Sequence, residues 1–309
     1  MGQLWGVSTQ GGNTYSPLLT KEVTAQAQPD MKFHQFVEMK EQWGKNAGET
    51  FLYDKYGNID TQGGTLTETS TIPARSHRFY QSTATLYEWG NSIPFTRKYE
   101  SLAQIGVRQP VVTALKNDYA KAIDTACEAE FNKTKIRYVA VADTTAGTIT
   151  TDGTATATNT GQLNRFHVKQ IVDHLYQTLK CPPWDGDNYM AICSMDAKRG
   201  IYDDVEAILY YTKYPASGEF GRYYDTRFVK TNHGLSNAMG KGSAYGEAYI
   251  FGGNGGPVLE GLAIAPEIIP KEVTDYQRSR GLAWYMISGY KIFWEGDPDN
   301  NIVKFDSNV

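Results

Sequence analysis

The stretch from Gln109 to Thr134 constrains the fold more than any other part of the chain. Apolar residues recur in it at three- and four-residue steps, namely Val112, Leu115, Tyr119, Ile123, Ala126 or Cys127, and Phe131. The charged residues fall largely between these positions, and we expect them to face solvent: Lys116, Asp118, Lys121, Asp124, Glu128 and Lys133. Pro110 suits the first turn of a helix, where its missing N–H costs nothing. The pattern predicts a helix of about 24 residues, roughly 36 Å long, with one side against a sheet or core.

Length, charge and cysteine usage narrow the class of protein. A chain of 309 residues with 40% hydrophobic content can bury the core of one large domain or two. Its 30 basic and 34 acidic residues give a net charge of −4, so no global positive field holds nucleic acid tightly. The three cysteines form no CxxC pair, and we expect Cys127, Cys181 and Cys193 to be buried free thiols in a reducing compartment.

The sequence shows no membrane or export signal. Its first residues lack the basic flank and apolar run of a signal peptide. The most apolar late stretch, GLAWYMISGYKIFW, has 14 residues and contains Lys291, too short and too charged for a membrane span. These features predict a cytosolic protein with no membrane role.

Residues 48–100 predict a long β-hairpin. Two β-rich limbs, FLYDKYGNID and TATLYEWGNSIPF, flank a turn at Gly63 and Gly64. The large apolar residues between Asn58 and Ser82 are few: Ile59, Leu66, Ile72, Phe79 and Tyr80. This part of the hairpin therefore needs another surface to pack against.

The rest of the chain predicts a mixed α+β fold. A short helix is expected in MKFHQFVEMKEQW, and a second amphipathic helix at 163–180 presents one apolar face: Val168, Ile171, Val172, Leu175 and Leu179. KIRYVAVAD predicts a strand, TTAGTITTDGTATATNT an exposed hairpin, and NYMAICS a buried strand. GRYYDTRFVKT predicts one strand, the segment 243–272 predicts two strands across a glycine turn, and GLAWYMISGYKIFW a strand that pairs with the first half of the chain.

No catalytic, cofactor-binding or metal-binding constellation emerges from the sequence. The histidines are scattered, and His167 and His174, one heptad apart, are better explained as a partly exposed surface pair than as metal ligands. Basic residues interleaved with aromatic ones form a candidate nucleic-acid patch, which alternation along a strand explains equally well: Arg222, Tyr223, Tyr224, Arg227, Phe228, Lys230 and Lys241. We therefore expect a protein that is not an enzyme and needs no cofactor.

The order of these segments resembles the major capsid proteins of tailed bacteriophages, which share the Hong Kong 97-type shell fold. The resemblance rests on the run LTE…YEWG…PFT, the long helix from Pro110, and the later GRYYDTRFVKT…YGEAYIFGG…LAIAPEIIPK…GLAWYMISGYKIFW. Among these proteins, the sequence is most similar to the branch typified by phage N-four. The resemblance covers the chain from about Lys21. No single motif in it has the specificity of a metal-ligand signature.

The resemblance implies a division of the chain. Residues 1–45 would be the N-terminal arm, 46–98 the extended β-hairpin loop, 107–134 the spine helix, 96–183 with 283–309 the peripheral domain, and 184–282 the axial domain. The loop would lie across a neighbouring subunit through Leu66, Glu68, Ile72, Arg75, Arg78, Phe79 and Tyr80. The implied covalent crosslink between subunits has no identifiable Lys–Asn pair in the sequence.

The resemblance also implies partners and a location. The protein would assemble with itself as pentamers and hexamers, together with scaffolding, portal and cement proteins, and would contact packaged double-stranded DNA weakly. Assembly in the bacterial host cytoplasm would yield the virion capsid. Two alternatives stay open: a bacterial nanocompartment shell protein of the same fold, distinguished by cargo, and a β-rich carbohydrate-active enzyme, distinguished by a monomeric state and glycan turnover.

Overall fold

Among the described residues, the fold has β-sheets of seven, four and two strands and four α-helices, one of them long. The computed structural model describes residues 31–41, 48–56, 63–69, 71–72, 74, 79–103, 106–142, 145–153, 159–202, 219–233, 245–253, 256–272, 275–276, 278–293 and 301–305. The strands are β1 (Val37–Glu41), β2 (Thr50–Tyr56), β3 (Phe79–Thr85), β4 (Tyr87–Thr96), β5 (Ile136–Val139), β6 (Thr148–Thr150), β7 (Tyr189–Cys193), β8 (Glu219–Tyr223), β9 (Thr226–Lys230), β10 (Ala248–Phe251), β11 (Val258–Pro270), β12 (Ser279–Ile292) and β13 (Ile302–Phe305). The α-helices are α1 (Arg97–Leu102), α2 (Arg108–Phe131), α3 (Arg165–Asp173) and α4 (Met195–Tyr202).

A seven-stranded mixed sheet has the order β6-β5-β13-β10-β7-β9-β8. Its central strands are apolar along their length, because alternate residues enter different cores on the two faces. Tyr249 and Phe251 of β10 pack in the core that contains α2, whereas Ala248 and Ile250 pack in the core that contains α3. The sheet is therefore covered on both faces by helices.

A four-stranded sheet, in the order β1-β11-β12-β4, lies against the same long helix. Strand β12 pairs antiparallel with β4 from Ser279 opposite Thr96 to Ser288 opposite Tyr87. This confirms that the aromatic strand near the end of the sequence pairs with the first half of the chain. Strand β1 runs parallel to β11 but covers only its first residues, Val258 to Leu262.

Helix α2 confirms the long helix predicted from periodicity, at 24 residues. Leu115, Ile123, Cys127 and Phe131 are buried. The expectation for two charged residues was wrong, since Asp124 and Glu128 are 1% and 0% exposed. The buried stripe is wider than the apolar spacing suggested because both the sheet and the N-terminal segment pack on the helix.

The end of α2 is tied to the seven-stranded sheet by polar contacts. Lys304 Nζ on β13 donates to Asn132 Oδ1, just beyond the helix, at 3.0 Å. The same ammonium lies 3.1 Å from Glu247 Oε2, and both side chains are about one-twentieth exposed. A cation at the C-terminal end of a helix also complements its dipole.

The segment expected to form a short helix after Met31 is instead a 3-10 turn, Phe33–Phe36, followed by β1. Phe33 and Phe36 are buried in aromatic edge contacts with Phe131 of α2 and Phe251 of β10. The turn fills the space between α2 and the seven-stranded sheet. Two phenylalanines three residues apart meet on one side of a 3-10 turn, so a longer helix is not needed.

The second predicted helix is shorter than expected. Helix α3 begins after Asn164, whose side chain accepts from the N–H groups of Phe166 and His167, and ends at Asp173. A π-helical turn, His174–Thr178, follows it. The predicted apolar face is confirmed at four positions: Val168, Ile171, Val172 and Leu175 are buried.

The region GRYYDTRFVKT is two strands and not one, which corrects the sequence prediction. Strands β8 and β9 pair antiparallel across Tyr224 and Asp225, which have φ angles of 43° and 53°. Two successive positive φ angles are typical of a type I′ hairpin turn, although this pair lacks the usual asparagine and glycine. The sequence therefore gave no turn signal at this position.

Two strands do form on either side of the glycine-rich segment, as predicted, but they belong to different sheets. Strand β10 lies in the seven-stranded sheet and β11 in the four-stranded sheet. Gly253 and Gly256 have φ angles of 106° and 122°, which favour glycine. Strand β5 confirms the strand in KIRYVAVAD. Of the predicted Thr-rich hairpin, residues 145–153 and 159–160 are described, and they contain the strand β6.

The three cysteines are free and buried, as predicted. Burial raises the pKa of Cys181 to about 12 and that of Cys193 still further, so both are protonated at neutral pH. Among the described residues, no helix has the length and apolar character needed to cross a membrane.

Candidate assembly surface

A hairpin does form in this region, by β2 and β3, which pair from Thr50 opposite Thr85 to Tyr56 opposite Phe79. Its predicted second limb was largely wrong, because most of TATLYEWGNSIPF is β4, which pairs with β12 in the four-stranded sheet. Successive side chains of a strand point to opposite faces, which gives the hairpin an inner and an outer face. Phe51 and Tyr53 on the inner face are 7% exposed, whereas Leu52 between them is 56% exposed. The base of the hairpin therefore packs on one side only.

The inner face of the hairpin packs on the four-stranded sheet and its continuation. The ring of Tyr53 stacks on Phe293 at 5.7 Å, and its hydroxyl donates to the carbonyl of Ile292 at 2.9 Å. Two glycines permit the close approach: a Cβ at Gly261 would lie 2.5 Å from the ring of Phe51, and one at Gly289 would lie 2.3 Å from the carbonyl oxygen of Thr85. The base of the hairpin is thus part of the core of its own chain.

The residues predicted to contact a neighbouring subunit lie beyond this base. Leu66, Ile72 and Phe79 are 52%, 74% and 68% exposed, and Glu68 is exposed as well. Phe79 is held at the start of β3, whereas Leu66, Glu68 and Ile72 lie outside helices and strands. Arg75 and Arg78 fall outside the described residues, as does the side chain of Tyr80. Their role in a subunit contact stays a prediction.

Sequence reasoning missed two further exposed apolar residues near the hairpin. Leu52 lies on its outer face, and Tyr87, at the start of β4, is 60% exposed. Phe51, Leu52 and Tyr53 are consecutive apolar residues, so the sequence carries no alternation that marks Leu52 as the outward one. Together with Phe79, these residues add apolar surface of the kind found at protein interfaces.

A second exposed apolar region lies at the far end of the four-stranded sheet. Ile264, Ile268 and Ile269 of β11 are each more than a third exposed. A shallow groove of about 980 Å³ runs beside them, lined by β4, β11 and β12 with Pro94, Pro270 and Trp284 among its residues. Beyond Leu262, β1 no longer pairs with β11, so within the described residues this part of β11 is an edge strand.

A polar cluster, buried except at His34, lies where α2 meets the N-terminal turn. His34 Nε2 lies 3.0 Å from Glu260 Oε2, and Tyr290 donates its hydroxyl to the other oxygen of Glu260 at 2.9 Å. Asp124 Oδ1 accepts the backbone N–H of His34 at 3.1 Å, and its other oxygen lies 4.0 Å from His233 Nε2. Two distant segments of the chain are thus joined through one helix.

The ionisable groups of this cluster shift in different directions. The hydrogen bond to Glu260 raises the pKa of His34. Burial raises the pKa of Asp124, and burial lowers the pKa of His233. Burial also raises the pKa of Tyr290, so its hydroxyl stays a hydrogen-bond donor at neutral pH. The cluster connects the N-terminal turn to α2 and to β11.

The remaining candidate sites do not come together as binding sites. His167 is fully buried, which corrects the expectation of a surface pair, and its Nδ1 lies 2.8 Å from the hydroxyl of Tyr138. Half-buried His174 has its pKa lowered by burial. Over the described part of the chain, no group of three or more His, Cys, Asp or Glu side chains is placed to hold a metal ion.

The candidate nucleic-acid patch is largely absorbed by the fold. Arg227 pairs with Asp185, and the hydroxyl of Tyr224 donates to Asp173 at 2.9 Å. Tyr223 and Phe228 are buried, and Lys241 lies outside the described residues. Strand alternation therefore accounts for this sequence pattern.

The fold has clear counterparts among solved structures. The capsid of Ralstonia phage GP4 matches at a TM-score of 0.70 and 12% identity, over 99% of this chain and 100% of that chain. The chain has the fold of bacteriophage capsid proteins. The capsid of cyanophage Pam1 matches at a TM-score of 0.68 and 14% identity, over 99% and 98% of the two chains. The head structure of Helicobacter pylori bacteriophage KHP40 matches at 0.65 and 10% identity, over 99% and 97%. No protein-family model matches the sequence, and no curated protein matches it significantly.

Proposed function

We propose that this protein is the major capsid protein of a tailed bacteriophage, which assembles into the icosahedral shell around a double-stranded DNA genome. One observation carries the proposal: the likeness to capsid structures extends over nearly the full length of both chains. The match covers 99% of this chain and 100% and 98% of the two capsid chains. The protein would act as a structural subunit and not as an enzyme.

The proposed division of the chain follows the Hong Kong 97-type fold. Residues 1–45 would be the N-terminal arm, 46–98 the extended loop, 96–183 with 283–309 the peripheral domain, and 184–282 the axial domain. Helix α2 would be the spine helix within 107–134. The pairing of β2 with β3 and the exposure of Leu66, Ile72 and Phe79 support a loop that reaches a neighbouring subunit.

Self-assembly would use pentamers and hexamers of this chain. One chain must then make several non-equivalent contacts, which suits a hairpin that is fixed at its base and exposed beyond it. The net charge of −4 is consistent with weak contact to packaged DNA. Scaffolding, portal and cement proteins would be further partners, and assembly would occur in the host cytoplasm. The protein would belong to the branch typified by phage N-four, which the order of the segments favours.

Expression of the protein, alone and with the neighbouring head genes, tests this function by negative-stain electron microscopy. We expect closed shells of uniform size. Monomers or amorphous aggregates under both conditions would contradict the proposal. Shells that form without head genes and contain a specific enzyme as cargo would instead identify a nanocompartment, and a monomer that hydrolyses glycans would identify an enzyme.

A further inference from the structure

The N-terminal turn Phe33–Phe36 lies near the start of the described part of the chain. Its two phenylalanines pack in the core. Phe33 makes edge contacts with Phe131 and Tyr249, and Phe36 makes edge contacts with Trp184 and Phe251. The turn therefore touches α2 and the seven-stranded sheet at once.

Polar contacts of His34 hold the exposed side of the N-terminal turn in place. The imidazole Nε2 lies 3.0 Å from Glu260 Oε2 on β11. The His34 side chain is 45% exposed, whereas that of Glu260 is 5% exposed. A protonated His34 is thus a partly exposed cationic partner for the buried carboxylate of Glu260. The backbone N–H of His34 adds a hydrogen bond to Asp124 on α2.

The titratable groups that face His34 come from three elements. Glu260 lies on β11, Tyr290 on β12 donates to Glu260, and Asp124 lies on α2. His233, 4.0 Å from Asp124, reaches the cluster from the far side. Both carboxylates favour a positive charge on His34. The hydrogen bond and charge of Glu260 outweigh the effect of burial on His34, so the pKa of His34 is raised.

We propose that a proton on His34 locks the N-terminal turn to the four-stranded sheet through Glu260, and that this lock opens as the pH rises. The inference concerns the attachment of this segment and does not depend on the capsid role. The lock is the single ion pair between His34 of the N-terminal turn and Glu260 of β11, and Glu260 is its buried partner.

The direction of the pH dependence follows from proton linkage. A detached His34 would titrate near its ordinary pKa of about 6.5, whereas the attached residue has a raised pKa. The attached state therefore binds more protons between these values. Its added stability is fully present below the ordinary value and is lost as the pH rises through the raised one. Above that range, Glu260 keeps the hydrogen bond from Tyr290 but loses its cationic partner.

Loss of the lock does not expel the turn, because Phe33 and Phe36 remain buried. The expected effect is a larger equilibrium population of the open turn, about tenfold for each unit by which the pKa of His34 is raised. Transient opening of this kind is measured by amide hydrogen exchange.

Hydrogen exchange on the full chain, at about pH 5.5 and about pH 8.5 on either side of the ordinary histidine value, tests the proposal. Rates of peptides that cover residues 31–41 are divided by their intrinsic rates at each pH. In the wild type we expect protection of this segment to fall at the higher pH. His34→Gln, on a half-exposed residue, should show the lower protection at both pH values.

Two further variants separate the lock from general destabilisation. Glu260→Gln should also remove the pH dependence, whereas His174→Gln, on the π-helical turn, should leave it as in the wild type. Circular dichroism verifies that each variant is folded. Wild-type protection that does not change with pH, or a His34→Gln protein that keeps the wild-type pH dependence, would overturn the proposal.

Discussion

At the scale of single residues, the core around α2 depends on carboxylates that lie inside it. Asp124, Glu128 and Glu260 are all less than one-twentieth exposed. Asp124 accepts the N–H of His34, 90 residues away in the sequence. Helical periodicity assigns a charged residue to the wet face unless its partner is known. The burial of Asp124 therefore could not be predicted from the sequence of the helix alone.

Asp124→Ala is predicted to destabilise the folded chain. Its removal leaves the backbone N–H of His34 without this acceptor, which costs about 1–3 kcal/mol. The matched control is Lys116→Ala on the exposed side of the same helix, for which a change within about 0.5 kcal/mol is expected. Urea unfolding of the two variants measures the difference. Equal stability would mean that Asp124 does not hold the N-terminal turn.

At the scale of secondary structure elements, the sequence predicts those whose signal is local. Helix α2 and strand β7 follow from regular patterns of apolar residues, and β2 follows from the first β-rich limb of the predicted hairpin. Most of the second limb is β4 of another sheet, because strand pairing depends on distant contacts. The assignment of β10 and β11 to different sheets was not predictable, because strand order depends on contacts across the whole chain. The same holds for Phe33 and Phe36, whose aromatic partners come from three distant parts of the sequence.

The seating of the hairpin base is tested by Gly289→Ala. A Cβ at this position of β12 would lie 2.3 Å from the carbonyl oxygen of Thr85 on β3, so the backbone of one strand must shift. We expect a loss of about 1–3 kcal/mol, as for other overpacked sites. Thermal unfolding and limited proteolysis of the hairpin are the measurements.

Gly64→Ala is the control for this substitution. A Cβ at Gly64 meets no atom within 4 Å, and its φ is not positive. The control protein should therefore melt like the wild type. If Gly289→Ala also melts like the wild type, the close contact between β3 and β12 is not a constraint on the hairpin.

At the scale of the whole molecule, the base and the remainder of the hairpin have separate roles in this account. Replacing residues 58–77 by a short Gly-Ser turn keeps β2 and β3, whose last pair is Tyr56 opposite Phe79. The core contacts of Phe51 and Tyr53 stay, and closing a shorter loop costs little entropy. We predict a folded subunit that fails to form shells.

The failure of assembly follows from repetition of one contact. Burial of a few hundred Å² around Leu66 and Ile72 contributes several kcal/mol per contact at about 25 cal/mol per Å². A closed shell loses that contribution at every subunit. Circular dichroism and electron microscopy on the shortened protein measure both halves of the prediction. Normal shells would refute the subunit contact, and loss of the folded signal would assign residues 58–77 to the core.

The position of the hairpin in an assembled particle tests most directly whether this chain forms a capsid shell through that hairpin. Cryo-electron microscopy of particles purified after co-expression with the head genes, reconstructed with icosahedral symmetry, would resolve each subunit and its neighbours. We predict a closed shell of pentamers and hexamers in which Leu66 and Ile72 contact an adjacent subunit. Particles without this symmetry, or a hairpin that folds back entirely onto its own chain, would contradict it.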